Sequence, residues 1–596
     1  MEKSLSQTWD LDVFFPGGSR SPEFARFLEA LEAEIGSFEE RLGAAGQAGA
    51  GGVPPLKDLV GTLQDLQNRM SEAGAFVSCL TAQDVKDEQA KLLEGRVRQL
   101  SSRLQAALTR FEALLRQVPE ETWHQVVADP ALAPVAFALN EMRQRAAEKL
   151  PPEQEALATA LAVDGYHAWS QLYHTVVGRI TIPFETDGKT VQLSVGQAFN
   201  RMMEDPDRSV RQTLFARWEE AWAREAELCA AALNHLAGFR LALYRSRGWD
   251  SVLKEPLDRN RMSQATLEAM WDVVNRNKDH LVAYLQRKAR ILGVERLAWY
   301  DLSAPIGKLT RRIPYDEAAE FIVENFRRFS PDMADFAARA FRERWIEAED
   351  RPGKRPGGFC TSFRVSRQSR IFMTYSGTPG GVSTLAHELG HAYHQHVMND
   401  LPPLVQNYAM NVAETASTFA EMVVVDAAIQ AAASPEERLA LLEDKIQRSV
   451  AFFMDIHARF LFETRFYEAR KKGLLTVADL NGLMLEAQKE AFRDALGEYH
   501  PHFWASKLHF YITYWPFYNF PYTFGYLFSY GVYAQARAEG PSFADRYVAL
   551  LRDTGRMTVE DLARKHLGVD LTQPDFWQSA ADLVVEDIRE FLRLTE

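Results

Sequence analysis

Apolar residues stand three or four positions apart along most of the chain, which is the spacing that lines one face of an α-helix. The run Phe24, Phe27, Leu28 and Leu31 shows this pattern near the N-terminus. The segments that share it are about 22–115, 156–177 and 195–344, followed by most of the chain after residue 381. The sequence therefore predicts a mostly α-helical protein.

A small β-hairpin is predicted where the helical pattern first stops. Ile180–Phe184 and Thr190–Leu193 are rich in β-branched and apolar residues, and they flank the turn dipeptide Asp187-Gly188. Ser194 follows in a position suited to cap the next helix.

Two further strands are predicted in a stretch that is dense in Pro and Gly, between residues 351 and 381. They are the extended segments Phe359–Val365 and Ile371–Tyr375. The Gly- and Ala-rich stretch Gly43–Pro55 is instead predicted to be a loop between helices.

The composition indicates a soluble globular protein. The chain has 596 residues, of which 46% are hydrophobic and 25% charged, enough for two or three packed subdomains. Its formal net charge of −13 works against a general affinity for phosphate backbones, so no nucleic-acid partner is expected. The composition leaves the oligomeric state open.

The cytoplasm is the expected location. The first twelve residues lack the basic start and apolar run of a secretory signal, and no apolar stretch reaches the roughly 18 residues that cross a bilayer. No membrane partner is therefore expected. Cys79, Cys229 and Cys360 are scattered and odd in number, which fits a reducing compartment and packing roles.

A metal-binding motif follows the second pair of strands. It reads His387-Glu388-Leu-Gly-His391, in an apolar-patterned helix that Ser383 is predicted to cap. The two histidines of such a helix lie about 40° apart in azimuth and about 6 Å apart along the axis, so both can bind one zinc ion. Glu388 projects beside them and is the predicted general base for the attacking water.

The third metal ligand is predicted to be Glu414. Asn399 and the prolines at 402 and 403 should end the motif helix, and Gln406–Gln430 has the pattern of another helix. If the two helices run antiparallel, the residue opposite the metal lies about ten residues after the turn, near position 414.

Two other side chains near the motif are interpreted differently. His394 lies about 7 Å along the axis from a zinc held by the two histidines, so it is predicted to be a polar helix residue and not a ligand. Glu421 shares the face of Glu414 but lies about 10 Å farther along the axis. It either orients a ligand histidine or is a plain surface carboxylate.

Residues 509–530, which we name the aromatic segment, concentrate Tyr and His next to two prolines and a glycine. A zinc peptidase needs hydrogen-bond donors for the oxyanion of its tetrahedral intermediate, and Tyr or His can supply them. The segment is predicted to belong to the active site, with an aromatic core wedge as the alternative.

Taken together, these motifs resemble the oligoendopeptidase F and Pz-peptidase group, relatives of thimet oligopeptidase. The likeness rests on Thr384–His391, Val412–Glu421 and Pro516–Leu527, and the opening Trp9-Asp-Leu-Asp is similar too. The resemblance therefore covers most of the chain.

The resemblance implies a mostly α, clam-like zincin fold with a deep channel and a small β-element beside the active-site helix. It also implies a zinc endopeptidase that cleaves short oligopeptides. The family's metal ligands correspond to His387, His391 and Glu414, and its general base corresponds to Glu388. Its transition-state donors correspond to His509, Tyr522 and Tyr526, with Tyr514 and Tyr518 as rivals.

The same likeness suggests how the chain is divided and how a substrate binds. Residues 1–116 are predicted to form a helical N-terminal lobe, 117–194 an oligopeptidase F-like region with the hairpin, and 195–596 the zinc peptidase region. The strand Ile371–Tyr375, with the loop Gly377–Gly381, is predicted either to pair with an extended substrate or to be a structural edge strand.

Two alternative functions remain open at this point. One is a zinc exopeptidase that releases dipeptides, which would need a charged pocket for a chain terminus. The other is a peptide-binding protein with a structural zinc. Glu388 favours catalysis, because structural zinc sites are usually closed by four protein ligands.

Overall fold

The computed structural model describes residues 4–47, 52–186, 188–307 and 312–596. Most of these residues are helical, which confirms the predicted fold class. The α-helices, in chain order, are α1 (Pro22–Gln47), α2 (Val53–Gln83), α3 (Glu88–Gln117), α4 (Glu120–Ala128), α5 (Ala136–Ala147), α6 (Pro152–Ala162), α7 (Ala168–Arg179), α8 (Val195–Glu204), α9 (Arg208–Ser246), α10 (Lys254–Arg259), α11 (Gln264–Ile291), α12 (Tyr315–Phe329), α13 (Pro331–Arg342), α14 (Pro379–Met398), α15 (Met410–Ala413), α16 (Thr415–Gln430), α17 (Pro435–Val450), α18 (Ile456–Arg470), α19 (Val477–Ala491), α20 (Phe503–Ser506), α21 (Phe520–Glu539), α22 (Ala544–Asp553), α23 (Val559–Leu567) and α24 (Pro574–Leu594).

The strands are short and few by comparison. They are β1 (Thr181–Thr186), β2 (Lys189–Ser194), β3 (Ile346–Glu347), β4 (Phe359–Phe363) and β5 (Gln368–Phe372). Among the described helices, none is both long and apolar enough to cross a lipid bilayer.

The chain folds into two compact units, each assembled from three segments. The first unit comprises Met1–Lys149, Thr310–Ala427 and Val532–Gly568. The second comprises Leu150–Leu309, Ala428–Gly531 and Val569–Glu596. The sequence-based division into 1–116, 117–194 and 195–596 is a partition by family likeness, and it stays a prediction.

The core of the first unit is formed by the amphipathic faces of α1, α2 and α3. Leu28, Leu63 and Phe111, one from each helix, are fully buried there. Phe363 of β4 and Phe372 of β5 belong to the same apolar cluster. The small sheet is therefore anchored in the core of this unit by its aromatic residues.

The sheet has the order β3-β5-β4, with β3 parallel and β4 antiparallel to β5. Both predicted strands are present, although β5 starts three residues earlier than expected, at Gln368, because the turn before it is tight and places Arg367 at a φ of 53°. The sheet packs against α14, the helix of the metal-binding motif. This arrangement confirms the predicted β-element beside the active-site helix.

The second unit is organised around the 39-residue helix α9, which packs against α7, α8, α18 and α19. Its hairpin β1–β2 is antiparallel, with Thr181 opposite Ser194. The predicted Ser194 cap is confirmed, since its hydroxyl accepts from the Gln197 amide and the Gln197 side chain accepts in return. Asp187 of the predicted turn lies outside the described residues, whereas Gly188 has the left-handed φ of 72° that such a turn requires.

Candidate metal centre

Helix α14 presents the two motif histidines on one face, as the spacing predicts. The helix begins at Pro379, and its cap is Thr378, whose hydroxyl accepts from the Gly381 amide at 3.1 Å. The prediction that Ser383 caps this helix is therefore wrong, because Ser383 lies in the second turn. Thr378-Pro379 was the available signal, since Pro is favoured at the first helical position.

Glu414 lies opposite the two histidines, as the argument from antiparallel helices predicts. Its Oε2 is 3.2 Å from Nε2 of His387 and 3.3 Å from Nε2 of His391. One ligand atom from each of the three residues lies within 4.8 Å of the other two. The structure thus brings together the whole predicted ligand set.

The segment that contains Glu414 is not the continuous helix predicted over 406–430. A 3-10 turn occupies Pro403–Gln406, α15 ends at Ala413, and α16 begins at Thr415. Glu414 stands at the break, and the Ser417 hydroxyl contacts both its carbonyl and its carboxylate, at 3.2 and 2.7 Å. This contact helps fix the carboxylate facing α14.

Gly390 makes the close approach of α14 and α16 possible, a role that is not among the predictions from sequence. A Cβ at this position would lie 2.5 Å from the carbonyl oxygen of Ala416 and 2.6 Å from Cα of Ser417. Only a residue without a side chain lets the two backbones touch here. A glycine inside an otherwise favourable helix, directly before a ligand, was the available signal.

The three ligand candidates fit a zinc ion. Ligand atoms about 2.0–2.1 Å from a tetrahedral zinc lie about 3.3 Å from one another. The two separations measured from Glu414, 3.2 and 3.3 Å, match that spacing. Two imidazoles and one carboxylate also form a donor set typical of catalytic zinc, with one coordination position left for water or substrate.

Glu388 lies in α14 between the two histidines and is 7% exposed. Its Oε2 is buried without a hydrogen-bond partner among the described residues. Burial raises the pKa of Glu388, while the charges of His391 and His387 lower it and that of Glu414 raises it again. A carboxyl group with a raised pKa and an unpaired oxygen suits proton transfer.

Glu421 contacts His387 at the ring nitrogen that does not face Glu414. Its Oε2 lies 3.1 Å from Nδ1 of His387, and its Oε1 accepts from the Ser383 hydroxyl at 2.8 Å. A neutral His387 that donates from Nδ1 presents the lone pair of Nε2 towards Glu414 and the metal position. Of the two interpretations of Glu421, the structure thus favours the orienting carboxylate.

His394 faces away from the metal position and is fully buried. Its Nε2 lies 2.9 Å from the Thr554 hydroxyl and 3.2 Å from the carbonyl of Leu551, and its ring stacks on Tyr408. These contacts connect α14 with the C-terminal end of α22. The interpretation of His394 as a helix residue outside the ligand set agrees with this placement.

Within the second unit, His509, Tyr518 and Tyr522 form one polar group in the aromatic segment. The ring of His509 has its centroid 4.9 Å from that of Tyr518 and 6.5 Å from that of Tyr522. The Tyr522 hydroxyl donates to that of Tyr518 at 3.3 Å. All three side chains are partly exposed.

Tyr526 and Tyr514 lie apart from this group, in opposite surroundings. Tyr526 is 4% exposed, its hydroxyl is 2.8 Å from that of Ser449, and burial raises its pKa well above the usual value. This placement does not favour Tyr526 as a transition-state donor, because its hydroxyl is already bonded inside the core; the role of Tyr526 stays a prediction. Tyr514 is 72% exposed and stacks on His167.

Only the first two residues of the edge strand predicted at 371–375 lie in β5, and for these two the prediction is corrected. β5 lies between β3 and β4, so its residues Gln368–Phe372 are paired on both sides where the two neighbours reach. The outer strand on one side is β4 instead. Sequence patterns give the presence of a strand but not its place in the sheet order.

Two family models match the chain. Residues 201–583 match the model described as peptidase family M3, and residues 115–182 match the model described as oligopeptidase F. The matched regions include the whole metal-binding motif and the aromatic segment.

Known proteins are similar over most of their length. Oligopeptidase PepF of Bacillus subtilis (strain 168) is 22% identical over 607 residues, which cover 100% of this chain and 88% of that protein. Chromosomal oligoendopeptidase F of Lactococcus lactis subsp. cremoris is 26% identical, over 69% of this chain and 68% of the relative. The crystal structure of oligoendopeptidase-F from Enterococcus faecium superposes with a TM-score of 0.71 at 20% identity, covering 96% of this chain and 98% of that one. The predicted resemblance is confirmed.

Proposed function

The chain belongs to peptidase family M3 and is a metallo-endopeptidase, and from this premise we propose that it hydrolyses short oligopeptides at a single zinc ion held by His387, His391 and Glu414. The observation that supports this proposal best is the spacing of the three ligand atoms. A carboxylate oxygen equidistant from two imidazole nitrogens, at 3.2 and 3.3 Å, is the arrangement that one tetrahedral ion requires.

Zinc at this position would polarise the scissile carbonyl and lower the pKa of a bound water to about 7. Glu388 accepts the proton of the attacking water on its unpaired Oε2 and then donates it to the leaving amine. The raised pKa of this carboxyl group favours the first step, because a carboxylate that holds a proton more readily than an exposed glutamate is the stronger base. Glu421 keeps His387 in the tautomer that leaves Nε2 free to bind the metal.

Tyr522 is the proposed donor to the oxyanion of the tetrahedral intermediate. Its side chain is partly exposed, and its hydroxyl donates to that of Tyr518 in this structure. To serve the oxyanion, the Tyr522 hydroxyl turns its hydrogen to the substrate and accepts that of Tyr518 instead. Hydrogen bonds of this kind stabilise the charge that develops in the transition state. His509 is the second polar contact to the substrate.

The remaining parts of the proposal follow from family likeness and composition. Short peptides are the substrates, the region 195–596 forms the zinc peptidase, and the cytoplasm is the location. Neither nucleic acid nor a membrane is a partner, consistent with the acidic net charge of −13.

Metal analysis combined with a peptidase assay tests the proposal. The purified protein should contain one zinc per chain, lose hydrolysis of an internally quenched peptide after treatment with a chelator, and regain it with zinc. An active protein free of metal would overturn the proposal. Unimpaired binding of peptides without hydrolysis would instead support the alternative of a binding protein.

Product analysis separates endopeptidase from exopeptidase activity. A peptide of about ten residues, acetylated at one end and amidated at the other, should be cut internally at the rate of its unblocked counterpart. Mass spectrometry identifies the fragments. If only unblocked peptides are cleaved, and only two residues from an end, the exopeptidase alternative is correct.

A further inference from the structure

A chain of polar contacts in the second unit leads from Asp455 to His509. Arg459 of α18 forms an ion pair with Asp455 and donates from Nη1 to Oδ1 of Asn519 at 3.0 Å. The same oxygen lies 2.6 Å from Nδ1 of His509. Asn519 precedes α21, and its side chain is almost fully buried.

Arg459 determines which way the amide of Asn519 points. A guanidinium has five N–H donors and no acceptor, so only the amide oxygen can face it. The opposite orientation would place the amide N–H against the positive charge. Consistent with this, Nδ2 of Asn519 has no partner among the described residues, and both contacts are made by the oxygen.

The fixed amide in turn determines where His509 holds its proton. Oδ1 of Asn519 can only accept, so Nδ1 of His509 must be the nitrogen with the hydrogen. A neutral imidazole has a single N–H, and Nε2 is then an acceptor; no described residue bonds to it.

The charge state of His509 agrees with this assignment. Burial, together with the charges of Lys507 and Arg459, lowers its pKa to about 4, against the opposing effects of Asn519 and Asp455. The ring is therefore neutral at pH 7, and Nε2 has no hydrogen to donate.

We propose that Arg459 and Asn519 are positioning residues that hold His509 with its proton on Nδ1, so that Nε2 accepts a hydrogen bond from a backbone N–H of the bound peptide. This role rests on the proposed peptidase function, whereas the tautomer does not. It reverses the polarity expected from the sequence, where His509 was a donor to the oxyanion. An acceptor lone pair would repel an oxyanion, which leaves that contact to Tyr522.

The tautomer is measurable without any turnover. Long-range ¹H–¹⁵N correlation spectra of zinc-loaded Glu388→Gln protein, labelled with ¹⁵N-histidine, distinguish a ring nitrogen with hydrogen from one without it. The signals of His509 are those lost on adding His509→Gln. We expect Nδ1 to be protonated and Nε2 unprotonated at pH 7, and the reverse assignment would overturn the proposal.

Variants in α18 test the role of the guanidinium. Arg459→Met should mix the two tautomers, because nothing then fixes the Asn519 amide, and Arg459→Lys should restore the parental spectrum through its ammonium donors. Arg465→Met is the matched control, since Arg465 lies in the same helix and pairs with Glu490 instead. An unchanged His509 tautomer in folded Arg459→Met protein would contradict the positioning role.

A scan with depsipeptides tests the contact with substrate. Each N–H except that of the scissile bond is replaced in turn by an ester oxygen, and kcat/KM is measured. At one position we expect a loss of about tenfold with the parental enzyme, the usual scale of one hydrogen bond, and little loss with His509→Leu. Equal losses in both enzymes at every position would refute the acceptor role. If no peptide is hydrolysed at all, the proposed function fails, while the spectra still decide the tautomer.

Discussion

The motif helix α14 with its partner α16, and the aromatic segment 509–530, are both rich in candidate chemistry, yet they differ in how far the sequence determines their geometry. In the first region the angular and axial spacing of a regular helix brings His387 and His391 together with the distant Glu414, as predicted from the sequence. In the aromatic segment, by contrast, residues that are equally prominent in the sequence lie in three different surroundings: a polar group, the core and the solvent.

The difference has a structural cause. Within α14 every residue advances by about 100° and 1.5 Å, so relative positions can be counted from the sequence. The aromatic segment passes through the 3-10 turn Leu508–Tyr511 and through Phe517, whose φ is 52°, before α21 begins. Each irregular dihedral redirects the following side chains, so neither periodicity nor family likeness predicts which tyrosine hydroxyl stays available.

The largest effect is expected in the motif region, from Glu388→Gln. Removing the carboxylate that takes the proton should lower kcat/KM by about a thousandfold, because general-base catalysis is commonly of that size. The zinc content should stay at the parental level, since Glu388 is not among the ligands. Stopped assays with a quenched peptide, together with metal analysis, measure both. Parental activity in this variant would remove Glu388 from the mechanism.

A second prediction contrasts two tyrosines of the aromatic segment. Tyr522→Phe should lower kcat by about a hundredfold with a small change in KM, as expected for one oxyanion donor. Tyr526→Phe, the matched control, should leave kcat within about threefold, because that hydroxyl bonds to Ser449 inside the core. A greater loss for Tyr526→Phe than for Tyr522→Phe would restore the original assignment from family likeness.

Much of the fold was predictable because local patterns determine it. The amphipathic helices, the hairpin with its Ser194 cap and the strands beside α14 follow from periodicity and capping rules. The grouping of His387, His391 and Glu414 was predictable for the same reason. The break at Glu414 and the central place of β5 were not, because both depend on contacts between segments distant in sequence.

Gly390 shows how such a contact sharpens the geometry of the motif region. Gly390→Ala places a methyl against the backbone of α16, so we expect a loss of about 1–3 kcal/mol in stability. Zinc affinity should fall by about tenfold or more, since Glu414 is displaced from the histidines. Thermal unfolding and competition with a chromophoric chelator measure the two quantities.

Gly380→Ala is the matched control for that substitution. It lies in the first turn of the same helix, where an added methyl meets nothing closer than the Thr378 hydroxyl, 3.9 Å away. Stability and zinc affinity should therefore be unchanged or slightly improved. Equal zinc affinities for Gly390→Ala and Gly380→Ala would mean that the close approach of the helices does not position Glu414.

An effect that appears only with a change of pH is expected at His394, one turn beyond the candidate ligands in α14. Burial lowers its pKa to about 3, against about 6.5 in the unfolded chain. The unfolded state then binds the extra proton, so stability is fully present above about pH 6.5 and is lost as the pH falls towards 3. Between pH 7 and 5 the titration of this histidine should lower the free energy of unfolding by about 2 kcal/mol.

Two glutamine variants test this expectation. His394→Gln keeps a donor for Leu551 but cannot titrate, so its free energy of unfolding should depend less on pH than that of the parent. His124→Gln, at an exposed position, should follow the parent. If the free energies of unfolding of the parent and of His394→Gln change equally with pH, the imidazole gains its proton without leaving the core. Its hydrogen bonds to α22 are then not those of a neutral ring.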